Sequence, residues 1–126
     1  MKFKLNGNMP IVALKHILNN YKRSGRMLYT TLTDTEDGLI TDSDKLAGIP
    51  CGVVEYISGN NVVVKPLETT SGKLFKDYIK KKIPLQLDPV AYIAGEDETG
   101  KPIWQMGKSY IKLTLDKRRL NCIRRS

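Results

Sequence analysis

The chain has 126 residues, 40% of them hydrophobic and 27% charged, which fits one globular domain with its own core and excludes a globally disordered chain. Twenty-one Lys and Arg stand against 13 Asp and Glu, a net charge of +8 that favours acidic partners. One histidine and two cysteines, with no CxxC pair, are too few for a tetrahedral zinc site, so no metal and no cofactor is expected. No apolar run approaches 18 residues and MKFKLNGNMP lacks a signal-type apolar stretch, so a cytoplasmically made protein that stays soluble or joins an assembly is expected.

Lys2 to Asn6 alternates polar and apolar residues and predicts a short strand. Pro10 opens a helix, where its missing N–H is no loss. Ile11, Leu14, Ile17, Leu18 and Tyr21 form its apolar stripe, and Gly25 is placed to cap it. Met27 to Thr33 reads as a strand, rich in Thr and aromatic character. The acidic stretch Asp34 to Asp44 lacks periodicity and reads as a loop. Strands are expected at Ile49 to Ile57 and Val62 to Leu67, joined by the turn Ser58-Gly59-Asn60-Asn61. The run Val62-Val63-Val64 implies burial on both faces or packing against a partner.

Thr69-Thr70-Ser71 offers a cap for a second helix, Lys73 to Lys82, with Leu74, Phe75, Tyr78 and Ile79 as its narrow stripe. Ile83-Pro84 ends it. Leu85 to Ala94 is a strand, Gly95 to Lys101 a polar loop, and Ile103 to Leu115 a long strand broken near Gly107. The order β-α-β-β-β-α-β-β predicts an α+β fold: a hairpin-rich antiparallel sheet or small barrel with two helices. One domain is expected over residues 1–116, with a basic tail at 117–126.

Catalytic chemistry finds little material. His16 sits on the flank of the first helix, and the sequence does not place a nucleophile beside it. Asp34, Glu36, Asp37, Asp42 and Asp44 lack the EF-hand spacing and read as a solvated loop, or one that meets a basic surface on a neighbour. Ser71-Gly72-Lys73 resembles the end of a phosphate-binding loop, but Leu67 and Leu74 stand where Gly and Ser or Thr are required. The basic clusters are Lys80-Lys81-Lys82 and Lys117, Arg118, Arg119, Arg124 and Arg125, five of the last ten residues. They suit phosphates or an acidic protein face, with Tyr78 and Tyr110 near them but no RNA-binding motif.

From Asn6 to Leu115 the chain resembles the prohead maturation proteases of tailed bacteriophages. The resemblance lies in Asn8-Met9-Pro10 followed by Leu14, in Val62 to Ile79 around Thr69-Thr70-Ser71-Gly72-Lys73, in Lys82 to Pro89, and in Ile111-Lys112-Leu113-Thr114-Leu115-Asp116. It implies a protease-like fold with a serine on the strand after the second helix and a histidine in the preceding loop or hairpin. Gln86, Leu87 and Asp88 occupy the first place, and neither Thr33 to Gly38 nor Gly48 to Gly52 contains a histidine. The resemblance therefore implies a catalytically degenerate copy: a non-enzymatic structural protein of a virion, an auxiliary or cement protein on the major capsid protein. The alternatives are a small basic nucleic-acid-binding protein, and an active protease with a displaced dyad of Ser71 or Cys51 with His16. Partner contacts are expected at the basic clusters and the acidic loop, with protein first, nucleic acid secondary and no membrane.

Overall fold

The computed structural model describes residues 1–6, 9–32, 49–116 and 118–119. In chain order these form β1 (Lys2–Lys4), α1 (Ile11–Arg23), β2 (Tyr29–Leu32), β3 (Gly52–Ser58), β4 (Asn61–Pro66), α2 (Thr70–Lys80), β5 (Leu85–Glu96) and β6 (Pro102–Leu115). Among the described residues the sequence of elements is the one the periodicity predicts, an α+β fold with two helices. The acidic residues Asp34, Glu36, Asp37, Asp42 and Asp44, and Lys117, Arg124 and Arg125 of the tail, lie outside the described residues.

The six strands form one sheet in the order β1-β4-β3-β2-β6-β5, antiparallel at each pairing except the parallel β2–β6 pair. A parallel bridge from Leu5 to Leu87, with Asn6 N–H donating to Leu87 O at 2.7 Å, brings β5 back beside the end of β1. The sheet thus nearly closes on itself as a small barrel. Its interior holds Leu32, Val54, Val62, Val64, Leu87, Ile111 and Leu113, and Leu14 of α1 and Phe75 of α2 join the same core. Phe3 and Phe75 meet ring to ring at 5.7 Å, tying β1 to α2.

Both helices end in the same way. In α1, Gly25 N–H donates to Lys22 O and Arg26 N–H to Tyr21 O, the Schellman pattern, with Gly25 at φ 72°. Arg26 then lies over the Tyr21 ring at 4.3 Å. In α2, Lys82 N–H donates to Ile79 O and Ile83 N–H to Tyr78 O, both at 3.0 Å. The left-handed position here is Lys82, at φ 58°, and no other non-glycine residue among those described has positive φ.

The structure corrects or sharpens four details of the sequence reading. Helix α2 starts at Thr70 rather than Lys73, because Thr69 Oγ1 accepts from Gly72 N–H at 3.1 Å. A Cβ on Gly72 would sit 1.8 Å from the Leu67 carbonyl oxygen, so glycine there serves close approach of two backbones. Strand β5 runs on to Glu96, across a register shift between Ile93 and Gly95. The expected break near Gly107 is a jump in pairing: Ala91 faces Met106, whereas Pro89 faces Ile111. Finally, Val62, Val63 and Val64 are all buried within this chain, so the run is core and not a surface for a partner.

Candidate partner-binding cleft

Three segments of the chain meet around one end of the barrel. The Schellman end of α2 swings Lys82, Ile83 and Pro84 out of the helix and into β5. Asp116, just past β6, donates its N–H to Pro84 O at 3.0 Å, so the chain after β6 returns over the same corner. Asp116 Oδ1 then accepts from Arg119 N–H at 3.3 Å, which fixes the turn that carries Arg118 and Arg119. Strand β1 forms the third side, held to β4 by Phe3 opposite Val62 and by Val64 N–H donating to Met1 O at 2.9 Å.

Between these segments lies an open cleft of about 470 Å³. Its floor is apolar, from Phe3, Ile79, Ile83, Pro84 and Leu85, with Met1 at one side, and its cations are Lys2, Lys82 and Arg119. Two basic clusters 37 positions apart in sequence, at Lys82 and Arg119, therefore meet in one place. The cations differ in what they are already doing. Lys81 pairs with Asp77 at 2.9 Å, one helical turn back, and this carboxylate raises the Lys81 ammonium above its ordinary range. Lys2, Lys80, Lys82, Arg118 and Arg119 are exposed and make no ion pair among the described residues. Lys76, by contrast, is held by Glu68 at 3.1 Å. That bond lowers the Glu68 carboxyl and leaves Lys76 already paired.

The cleft can hold an anionic group beside apolar surface. Lys82 strengthens this reading through its backbone. A left-handed lysine costs roughly 1 kcal/mol that glycine would not, and such strain collects where a side chain has a task. The negative end of the α2 dipole also points here, so Lys80, Lys81 and Lys82 are favourable for the helix itself. Sequence reading missed Lys2 and the floor, because the Lys2-Phe3-Lys4 alternation signals a strand and says nothing of what faces it.

The residues considered for a displaced dyad are occupied elsewhere. Ser71 is 3% exposed and donates its hydroxyl to Pro50 O at 2.6 Å. Cys51 is fully buried beside Thr30, and burial pushes its thiol up to about 11, so it is protonated at neutral pH. His16 is exposed on α1. At the positions where the resemblance places a serine, Leu87 is in the core, while Gln86 and Asp88 are half-buried. Among the described residues, no group of three or more His, Cys, Asp or Glu is placed to hold a metal ion, and no helix is long and apolar enough to cross a membrane.

No protein-family model, no curated protein and no solved structure matches the chain.

Proposed function

We propose that this protein is a non-enzymatic binding domain of a multi-copy assembly, docking on an acidic protein surface through the cleft between β1, the end of α2 and the turn after β6. The observation that carries this is the pairing of an apolar floor with cations that make no ion pair among the described residues, one of them strained, at Lys82. Apolar surface at the centre with charge at the rim is how protein interfaces are built, whereas phosphate contacts need no such floor. The setting we favour is a viral particle, with this chain as an auxiliary or cement protein on the major capsid protein. Resemblance of element order to the prohead proteases supports that setting, and the lack of a serine and a histidine at the expected places supports the non-enzymatic part of the reading. Repeated copies on a shell would multiply a weak single contact.

The test is fluorescence anisotropy of the full chain with three probes: a labelled peptide alternating glutamate and leucine, polyglutamate of equal charge, and a DNA duplex. The expected order at 150 mM salt is the leucine-containing peptide first. Its affinity should fall at least about tenfold in Lys82→Glu/Arg119→Glu. Tighter binding of the duplex, with log affinity falling against log salt by about 0.9 for each of several phosphates, would overturn the reading in favour of a nucleic-acid-binding protein.

A further inference from the structure

The β5–β6 ribbon has two chemically opposite ends. Its base is the cleft, with Leu85 on the floor and Arg119 just beyond β6. Twelve residues of β5 lead away from the cleft, a span of roughly 35 Å. At the far end stand Glu96, Asp97 and Glu98, all exposed, with Lys101 as the one nearby cation.

That tip is a built turn. Asp97 and Lys101 pair through their backbones, with Asp97 N–H donating to Lys101 O at 2.9 Å. Asp97 Oδ1 accepts from Thr99 Oγ1 at 2.6 Å, and from Thr99 N–H and Lys101 N–H at 2.9 Å each. These bonds, the Thr99 hydroxyl first, hold the Asp97 carboxyl below its usual range. Just behind the acids, Ile93 is 54% exposed and Ile103 is 43% exposed. Ile93 lies opposite Trp104, and Ile103 adjoins Trp104 along the strand, so the two isoleucines point to opposite faces of the ribbon. A ribbon end apolar on both faces is shaped for insertion between walls. One that is apolar on a single face would suit a flat surface.

We infer that the cleft takes the β5–β6 ribbon tip of a second copy of this chain, with Glu96 and Glu98 against Lys2, Lys82 and Arg119 and the two isoleucines between the apolar side chains that line it. This rests on the cleft reading above and names the partner. Charge sign, apolar content and the placement of acceptor and donor at opposite ends of one ribbon all agree with it. A contact between two different surfaces is heterologous, so it propagates from copy to copy into rings or filaments.

The experiment uses the full chain and two charge-neutralised variants: Lys82→Gln/Arg119→Gln, which spoils the cleft, and Glu96→Gln/Glu98→Gln, which spoils the tip. All four substituted side chains are exposed, and circular dichroism checks that each variant keeps its fold. Sedimentation velocity at low salt should show the unaltered chain growing beyond a dimer with concentration. Each variant alone should remain monomeric. An equimolar mixture of the two should give dimers and nothing larger, because it holds one intact tip and one intact cleft per pair. Three results would overturn the inference: an unaltered chain monomeric to about 1 mM, variants that associate as the unaltered chain does, or a mixture that stays monomeric. If the glutamate–leucine peptide still binds the cleft of a monomeric chain, self-pairing falls while the binding-domain reading stands. If the peptide fails as well, both fall.

Discussion

Replacing Lys82 with glycine separates what the backbone wants at the end of α2 from what the cleft wants. Lys82 holds φ 58° so that its N–H and that of Ile83 can close the helix on Ile79 O and Tyr78 O. An L-residue with a Cβ pays about 1–2 kcal/mol there. Glycine removes that strain but has more freedom to lose on folding, about 0.5–1 kcal/mol. The expected net gain for Lys82→Gly is about 0.5–1 kcal/mol. For 126 residues at about 2.1 cal/mol/K each, that gain raises the midpoint of thermal unfolding by roughly 2–4 °C. Lys82→Ala keeps the strain and loses the same ammonium, so it should stay within about 0.5 kcal/mol of the unaltered protein. Differential scanning calorimetry on the three proteins reads the difference, and peptide anisotropy should show both variants weakened alike. A glycine variant no more stable than the alanine variant would refute the argument that Lys82 is strained.

Gly72→Ala should unfold or badly destabilise the protein, by more than about 3 kcal/mol in urea titration, since the new Cβ meets the Leu67 carbonyl at 1.8 Å. Helix propensity alone predicts a gain of about 1 kcal/mol, so the sign of the change decides. Burial raises the Cys51 thiol from its ordinary 9.0 to about 11, so its stabilising effect is complete below pH 9 and is lost as pH rises through 11. That loss is on the order of 3 kcal/mol. With the second cysteine, Cys122, changed to serine to leave one thiol, the drop in urea stability from pH 8 to pH 11 is compared with that of a chain also carrying Cys51→Ala, and a drop no larger with Cys51 than without it would contradict the burial argument.

The helices were legible because each carries one apolar stripe and a local stop signal. Leu14, Ile17 and Leu18 of α1 are buried as the spacing requires, and Gly25 occupies the left-handed cap. The start of α2 is three residues earlier than periodicity places it, because a glycine is a poor helix signal and the reason for Gly72 is the nearby Leu67 backbone, a contact that periodicity does not encode. Gly95 similarly suggested the end of a strand that in fact continues through an irregular pairing. The two basic clusters were visible as sequence, but their meeting was not. It depends on Leu5 reaching Leu87 and on Asp116 reaching Pro84, pairings between residues far apart in the chain. The valine run shows the same limit from the other side: apolar residues without alternation announce burial and leave open what buries them.

The parallel pairing of β2 with β6 sets a timetable for synthesis. Tyr29 to Leu32 emerges early from the ribosome, yet its partners, Tyr110 to Leu113, come more than 80 residues later, about 4–16 s at ordinary translation rates. Until then β1, β4, β3 and β2 can assemble in their final order, but β2 is left at the rim with its N–H and C=O groups unpaired. Thr30, Thr31 and Leu32, each at most 1% exposed in the finished barrel, are then open to any passing strand. A chain stalled or cut before Ile111 therefore presents a sticky edge, and arrival of the last strand converts an aggregation hazard into the middle of the sheet.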